Sequence, residues 1–233
     1  MGTVAFVCAM PMELRPLAKR LGLQKGDVGG LRARTGRLDG RDVVAIVTGM
    51  GTELATTATD RLLDAITPER VVVVGITGAV EDETPIGTLV VPEVVVHGAT
   101  GCEHRPHPLG TVTPHGAMWT TDVITPPDEL AALRARGVVS LDMETAAVAA
   151  CCEDRGIPWS VFRVISDRAS DGSVDDEIFR LSNQDGTPNG PAVLRYFLRH
   201  PGRIPAMVTL AKGSKLASER AAAAAVDAVR HAA

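Results

Sequence analysis

The pattern of apolar and polar residues at the start of the chain changes from the period of a strand to that of a helix. Val4 to Cys8 is an apolar run of strand length, and a helix is expected to begin at Pro11 or Met12 and to end near Gly22. Pro16 is tolerated only in the first turn of a helix, so this helix cannot begin much before Met12. The chain therefore opens with a strand followed directly by a helix.

A hairpin and a second helix are predicted next. Leu31 to Leu38 and Arg41 to Thr48 alternate as strands do, and Asp39-Gly40 between them is typical of a hairpin turn. Gly49-Met50-Gly51 indicates a sharp turn, after which Thr52 can cap a helix to about residue 66. A glycine-rich turn before a helix can bind an anion, although turns also require glycine for purely geometric reasons.

The centre of the chain carries a continuous β-branched run from Arg70 to Gly75, which predicts a strand buried on both faces. Small residues from Gly75 to Ala79 end this strand and leave room for a ligand to approach the backbone. Gly87 to Val96 predicts a further strand, and Gly98 to Met118 has the composition of a loop. The first half of the chain is therefore expected to be rich in strands.

Helices dominate the second half. The elements expected there are a helix from Pro127 to Arg136, an Ala-rich helix capped by Ser140 or Asp142 and ended by Gly156, a strand from Trp159 to Ile165, a solvated loop or mobile flap over 171–177, a helix from Pro191 to His200, and an Ala-rich helix over 204–233. The last helix is expected to pack on the outside or at a subunit contact. The alternation of strands and helices predicts one α/β domain over 1–233, with a helical C-terminal extension over about 190–233. Its expected architecture is three α/β/α layers around a mixed, twisted sheet.

Three acidic residues stand at junctions between strands and helices. Glu13 lies where the first strand meets the first helix, and Glu144 lies near the start of the Ala-rich helix. Asp167 is expected just past the carboxyl end of a strand, where α/β folds place ligands. Each also has a plain structural interpretation, because an acid at a helix start interacts with the helix dipole and an Asp can cap a turn.

The sequence around these acids resembles that of the nucleoside phosphorylase/nucleosidase superfamily, in particular the methylthioadenosine/S-adenosylhomocysteine nucleosidases. The matching motifs are Ala9-Met10-x-x-Glu13, the Gly-rich strand end within Val71 to Val80, the pair Met143-Glu144 that opens a helix, and the run Arg163-x-x-Ser166-Asp167 that ends a strand. The resemblance covers Val4 to about His97 and Thr120 to about Ser170. One departure is Ile76, which stands where the relatives usually have Ser.

The resemblance implies a nucleoside phosphorylase-like fold and hydrolysis of the N-glycosidic bond of a purine nucleoside. The expected substrate is an adenosine with a 5′ substituent, such as methylthioadenosine or S-adenosylhomocysteine. Asp167 would protonate N7 of the leaving base, Glu13 would take a proton from the attacking water, and Arg163 would hold that water or pair with a carboxylate. Glu144 would bind the ribose 2′- and 3′-hydroxyls, with Met143 packed on the sugar. The other implied substrate-binding residues are Ser166, Ile76, Gly78, Asp122, Val123 and Ile124.

Three alternatives stay open at this point. A phosphorylase would attack with phosphate, but it needs a Gly-Asp-Pro-x-Arg-like loop, and the carboxylate of Glu13 would repel phosphate, so hydrolysis is favoured. A non-catalytic nucleoside-binding relative is the second alternative. The C-terminal segment also resembles the members of the superfamily that are linked to hopanoid biosynthesis and act on adenosyl lipids. The resemblance further implies a homodimer and no cofactor.

Composition narrows the partners and the compartment. The net charge of −4 and the absence of a long basic run give no sign of nucleic-acid binding. No secretory h-region and no run of membrane-spanning length is evident, so we expect no membrane partner. The cysteines (Cys8, Cys102, Cys151 and Cys152) form no C-x-x-C pair, which is typical of a reduced, cytoplasmic enzyme.

Residues 98–118 carry a group of potential metal ligands, Cys102, Glu103, His104 and His107. Their spacing lacks a closed set of zinc ligands, so we expect no metal there. The segment is interpreted as a surface loop or as a lid that faces the substrate. The nucleosidases that the chain resembles have a longer segment here, which shapes the pocket for the 5′ substituent.

Overall fold

A computed structural model describes residues 2–168 and 199–232, together with 183, 187, 189, 191, 195 and 196. In chain order the described elements are β1 (Thr3–Cys8), α1 (Pro11–Leu21), β2 (Gln24–Val28), β3 (Leu31–Leu38), β4 (Arg41–Val47), α2 (Thr52–Ala65), β5 (Arg70–Ala79), β6 (Leu89–Val90), β7 (Val94–His97), β8 (Glu103–His104), β9 (Ala117–Thr120), α3 (Pro127–Ala135), β10 (Val138–Asp142), α4 (Thr145–Asp154), β11 (Trp159–Arg168) and α5 (Ile204–His231), with a short 3-10 turn at Pro201–Arg203 before α5. The predicted helix at 191–200 and the polar segment at 171–177 lie wholly or largely outside the described residues.

The strands form one mixed sheet that branches at β5. Its order is β2-β3-β4-β1-β5-β10-β9-β7-β8, and β11 pairs with the other edge of β5 and with β6. The first half of β5 runs parallel to β1, while Gly78 and Ala79 near its end pair antiparallel with β10. β11 runs parallel to β5 along its whole length. The central strand thus has neighbours on both edges, as its β-branched sequence predicted.

Helices cover both faces of this sheet. Side chains of α2 and α4 pack with Val71 and Val73 of β5 on one face. Side chains of α1 and α5 pack with Val72 and Val74 on the other. Successive residues of a strand point to opposite faces, so the run of valines supplies both halves of the core. The predicted three-layer α/β/α architecture with a mixed sheet is confirmed.

α5 packs more closely on the sheet than an outer helix would. Ala217, Ala221 and Ala225 are fully buried at i, i+4 spacing, so small side chains let the helix approach the strands. A Cβ atom on Gly213 would lie 2.6 Å from the backbone oxygen of Ser166 in β11. The second half of α5 is therefore part of the core, and the expectation that this helix lies on the outside applies only to its first turns.

Several boundaries differ from the sequence-based ones for local reasons. The segment expected as one strand over 87–96 is divided into β6 and β7, because Pro92 between them has no N–H for a ladder hydrogen bond. β5 and β11 both continue beyond their predicted ends, to Ala79 and Arg168. The predicted hairpin is confirmed, and Asp39 and Gly40 both have positive φ, as its tight turn requires.

The loop segment 98–118 does not lie over the carboxyl ends of the central strands. The backbone N–H of His107 donates to the carbonyl of Trp159 at 2.8 Å, and Leu109 lies beside Val4 and Arg70. These three partners stand at the starts of their strands. The interpretation as a substrate-facing lid is therefore wrong, because the middle of the segment covers the starts of these strands, whereas Asp167 lies at the carboxyl end of β11.

Among the described helices, none combines the length and the apolar character that crossing a membrane requires.

Candidate active site

A cavity of about 270 Å³ opens at the carboxyl ends of β1, β5 and β11. All of the site residues expected from the sequence line it except Asp122. They are Glu13, Ile76, Gly78, Val123, Ile124, Met143, Glu144, Arg163, Ser166 and Asp167. Segments far apart in the chain thus meet at the carboxyl ends of the parallel strands, where α/β folds bind their ligands.

Arg163 lies at the base of this cavity, buried in β11 among three carboxylates. Its Nη2 is 2.6 Å from Oδ2 of Asp142 and 3.2 Å from Oε2 of Glu144. Its Nη1 is 3.6 Å from Oε1 of Glu13 and donates to the carbonyl of Ile76 at 2.9 Å. Burial disfavours the charged guanidinium, but the three carboxylates outweigh this and raise the pKa of Arg163.

Glu13 has both a structural and a site-facing role. It is the third residue of α1, and its Oε2 accepts the N–H of Met10, which caps that helix, at 2.9 Å. Its Oε1 accepts the N–H of Ile76 at 2.8 Å. Burial raises the pKa of Glu13, although Arg163 and the backbone donors act in the opposite direction. A carboxyl with a raised pKa binds a proton more tightly than an ordinary one, which suits a group that takes up a proton.

Gly75 makes this position of Glu13 possible. A Cβ at Gly75 would lie 2.2 Å from Oε1 of Glu13 and 2.8 Å from Nη1 of Arg163. The sequence-based reading assigned the small residues at the end of β5 to ligand access. At Gly75 the space is instead filled by the protein's own ion pair.

Glu144 precedes α4 and joins two parts of the site. Its Oε1 accepts the N–H of Gly51 at 3.0 Å, while Oε2 contacts Arg163. Burial raises the pKa of Glu144 to about 7, against the opposing effect of Arg163 and with the help of the nearby Asp142 charge. The Gly49-Met50-Gly51 turn therefore does bind a carboxylate, but it is one that belongs to the chain.

Asp142 was predicted only as a possible cap for the Ala-rich helix; the N-cap residue is Glu144, and Asp142 binds the first turn from two residues before it. Its Oδ2 accepts the backbone N–H of Thr145, the first residue of α4, at 2.9 Å and also the Thr145 hydroxyl. Oδ1 accepts the hydroxyl of Thr120 at 2.6 Å. Together with its contact to Arg163, these bonds make Asp142 a positioning residue that sequence reasoning missed. Its signal is the buried face of β10, which ends on this acid.

Asp167 is the second-to-last residue of β11 and does not lie beyond the strand. The pairing of β11 with β5 shifts register between Ile165 and Asp167, as at a β-bulge, and Asp167 lines the cavity. The hydroxyl of Ser166 donates to Oδ1 of Asp167. A Cβ on Gly78 would be 3.5 Å from Oδ2. The absence of a side chain at Gly78 thus leaves space beside the carboxylate.

Asp122 lies beside the cavity and binds the start of α2. Its carboxylate accepts the backbone N–H of Thr52 at 2.7 Å and the Thr52 hydroxyl at 2.5 Å. Thr52 is the first residue of α2, so the expected Thr cap is replaced by a carboxylate from another segment. This contact fixes the loop that carries Val123, which is 68% exposed, and Ile124 at the rim of the cavity.

Comparison with known proteins agrees with this geometry. The model of the phosphorylase superfamily matches residues 3–113 and 102–199. The chain belongs to the phosphorylase superfamily.

Relatives within the superfamily are distant in sequence. The 5′-methylthioadenosine/S-adenosylhomocysteine nucleosidase of Marinomonas sp. (strain MWYL1) is 26% identical over 201 residues, which span 72% of this chain and 87% of that protein. The same enzyme of Geobacillus kaustophilus (strain HTA426) is also 26% identical, over 72% of this chain and 86% of its own.

Solved structures share the fold. The 5′-methylthioadenosine/S-adenosylhomocysteine nucleosidase of Neisseria meningitidis, in complex with methylthio-immucillin-A, superposes with a TM-score of 0.74 at 18% identity, over 99% of both chains. A futalosine hydrolase mutant of Helicobacter pylori strain 26695 reaches 0.74 at 16% identity, over 98% of this chain and 99% of that one.

In this superfamily member the C-terminal helix also contributes to the cavity. Leu210 and Ser214, at i, i+4 spacing on α5, line it together with Met12 and Met50. Sequence reasoning missed these residues because no motif contains them. A helical period in α5 gives the spacing of Leu210 and Ser214, but the partner of that helix face depends on the tertiary fold.

The potential metal ligands of segment 98–118 lie outside this site. Nδ1 of His104 is 2.7 Å from a carboxylate oxygen of Glu153 on α4, and Cys102 is exposed. Over the described part of the chain, no three His, Cys, Asp or Glu side chains come together as a metal site. None of the residues of this segment lines the cavity either.

The raised pKa of Glu144 predicts how stability changes with pH. A carboxyl whose pKa is about 7 in the fold and 4.5 ordinarily stabilises the fold at pH below the lower value, and this contribution is lost as the pH rises through the higher one. The Glu144→Gln variant has no carboxyl at this position and therefore lacks this contribution to stability. We therefore expect the free energy of unfolding of the wild type, minus that of Glu144→Gln, to fall by at most on the order of 3 kcal/mol between about pH 4 and about pH 8. Urea unfolding at several pH values measures this difference, and a difference that does not change with pH would contradict the assignment.

Proposed function

We propose that the protein hydrolyses the N-glycosidic bond of a purine nucleoside, namely an adenosine with a 5′ substituent such as methylthioadenosine or S-adenosylhomocysteine. Membership of the phosphorylase superfamily and the names of the curated relatives support this reaction. The observation that carries the proposal is the buried pair of Glu13 and Arg163, which lines the same cavity as Asp167. This arrangement supplies a base for water and an acid for the leaving group.

The chemistry requires both groups because the sugar becomes an oxocarbenium-like cation as the bond breaks. Asp167, beside the open space at Gly78, protonates N7 of the leaving purine. Glu13 takes a proton from the attacking water, and its raised pKa favours that uptake. Arg163 lies against Glu13 and holds the carboxylate in place. Proton delivery and proton uptake are thus assigned to different carboxyl groups.

The ribose hydroxyls are assigned to Glu144. An ionised carboxylate only accepts hydrogen bonds, so it suits two neighbouring hydroxyl donors. Gly51 and Arg163 fix its orientation from two sides, and Met143 beside it provides an apolar surface for the sugar. Ser166 orients Asp167, while Ile76, Val123 and Ile124 line the remaining wall. Asp122 supports the loop from outside, so any contact with the base is made by its backbone.

Phosphorolysis fits these contacts less well than hydrolysis. A phosphate needs donors, but the Ile76 N–H is already bound by Glu13, and Nη1 of Arg163 donates to the Ile76 carbonyl. A phosphate in this position would also meet the Glu13 carboxylate. The aliphatic side chain of Ile76 adds no hydroxyl donor where the relatives usually have Ser. Water, which is neutral and both donates and accepts, avoids these conflicts.

Adenine release from methylthioadenosine should therefore proceed without phosphate and should yield free 5-methylthioribose. Glu13→Gln should lower the rate by about 10²- to 10⁴-fold, because the amide cannot take the proton of the water. Substrate affinity should change little, since Glu144 binds the ribose. Release of adenine with and without added phosphate, followed by chromatography of the sugar product, measures both effects.

A requirement for phosphate together with formation of a sugar 1-phosphate would replace hydrolysis by phosphorolysis. If wild-type protein binds the nucleoside but releases no base under either condition, the chain is a non-catalytic binding relative. If Glu13→Gln loses only stability and keeps its rate, Glu13 serves as an acid on the helix dipole and not as the base.

Asp167→Asn should abolish turnover of nucleosides with a poor leaving base while binding stays measurable. The amide keeps the shape of the side chain but cannot deliver a proton, and the loss of a general acid costs about 10²- to 10⁴-fold. Single-turnover rates and calorimetric affinities for methylthioadenosine separate the two effects. Unchanged turnover in this variant would remove Asp167 from the mechanism.

We also propose that the protein is a cytoplasmic homodimer. The homodimer rests on the resemblance to the nucleosidases, and the compartment rests on the four free cysteines, three of which are buried. Light scattering at micromolar concentration should give twice the mass of the chain, and a monomer would count against the dimer.

A further inference from the structure

A groove next to the cavity carries a concentration of positive charge. It runs between α1 and α5 and is lined by Arg15, Lys19, Arg20 and Lys215, with Glu219 as the carboxylate on its wall. The chain as a whole has a net charge of −4. Four cations facing one acid therefore form a local reversal of the overall charge.

The groove and the cavity adjoin at Met12. Met12 lines both of them. On α5, Ser214 faces the cavity and the next residue, Lys215, faces the groove. Arg15 follows Met12 by about one helical turn, or roughly 5 Å along α1. A ligand that fills the cavity can therefore extend past Met12 into positively charged surroundings.

The groove cations are not neutralised by acidic side chains of the described residues. Within the described part of the chain, none of Arg15, Lys19, Arg20 and Lys215 forms an ion pair. In the same part of the chain, arginines elsewhere on the surface do form such pairs: Arg37 with Asp42, Arg41 with Glu69, Arg134 with Glu81, and Arg155 with Asp60 and Asp64.

The cations of the groove also lie close to one another. Arg15 and Lys19 stand at i, i+4 on one helix, where like charges destabilise by a few tenths of a kcal/mol. A concave surface lined by one sign of charge concentrates ions of the opposite sign. The unpaired cations thus form a place for a negative charge that the described part of the chain does not provide.

We propose that this groove binds an anionic group carried by the 5′ substituent of the nucleoside. The inference rests on the proposed function, in which the base lies at Asp167 and the ribose hydroxyls lie at Glu144. The substituent on C5′ is then the part of the substrate that extends toward Met12. An anion such as a carboxylate or a phosphate at its end meets Arg15, Lys19 and Lys215.

The test compares two substrates that differ only in charge. One is an adenosine with a 5′-alkylthio chain that ends in a carboxylate, long enough to pass Met12, and the other is its neutral amide. Wild-type kcat/KM for adenine release should be about tenfold higher for the carboxylate, and the preference should shrink as salt screens the charges. In the triple variant Arg15→Gln/Lys19→Gln/Lys215→Gln the preference should disappear, while kcat/KM for the amide stays unchanged.

Lys212→Gln is the matched control. Lys212 lies on α5 less than one turn before Lys215 and is exposed, but it does not line the groove. This variant should keep the preference for the carboxylate. A loss of the preference in Lys212→Gln as large as in the triple variant would show a general effect of surface charge and would overturn the proposal.

Calorimetry separates a tethered anion from a free one. The proposal is overturned if the wild type shows equal kcat/KM and equal affinity for the carboxylate and the amide. This holds even if sulfate binds to the wild type and not to the triple variant, because the groove then binds free anions and not the substrate. If neither substrate releases adenine, the proposed hydrolysis fails. The groove is still tested in that case, since the carboxylate should bind about tenfold more tightly than the amide, and only in protein that keeps the three cations.

Discussion

The buried guanidinium of Arg163 is the charge on which the arrangement of the site depends. A buried cation is tolerated only if opposite charges and hydrogen bonds compensate for its lost hydration. Here the compensation comes from α1 through Glu13, from β10 through Asp142 and from the start of α4 through Glu144. Three segments are thus tied to β11 by one side chain. Two of these carboxylates, Glu13 and Glu144, are also the ones proposed to act on the water and on the ribose.

Close approach of backbones makes this arrangement possible. Gly75 leaves the space that Glu13 and Arg163 occupy, and Gly213 lets α5 pack on the carbonyl of Ser166 next to Asp167. Charge also holds the start of α2, because its free N–H groups donate to the carboxylates of Glu144 and Asp122 instead of to an external anion. The protein therefore uses its own acids at the sites where a phosphate could bind. An external anion is left with the basic groove beyond Met12.

The sequence predicted the architecture and most of the residues around the cavity, because each of those residues belongs to a local pattern. Glu13, Glu144 and Asp167 stand at strand and helix junctions that the apolar pattern marks, and the resemblance extended this to Arg163 and Met143. Asp142, Leu210 and Ser214 follow from contacts between distant segments, which no local pattern reports. Asp142 looked like a helix cap and does bind the start of α4, but its contact with Arg163 depends on how β10 lies beside β5. The position of segment 98–118 likewise depends on a tertiary contact, that of His107 with the start of β11.

Three acids share the single cation at the base of the site. One guanidinium balances one carboxylate in full, yet Glu13, Asp142 and Glu144 all lie within 3.6 Å of it. Asp142 makes the shortest of these contacts and accepts several further hydrogen bonds, so it is the acid held most firmly beside the cation. Burial raises the pKa of Glu13 and of Glu144, and the negative charges of Asp142 and Glu13 raise that of Glu144 further. A carboxyl with a raised pKa holds a proton more tightly, which is the property that a base for water requires. Asp142, which does not touch the substrate in this scheme, thereby raises the proton affinity of Glu144.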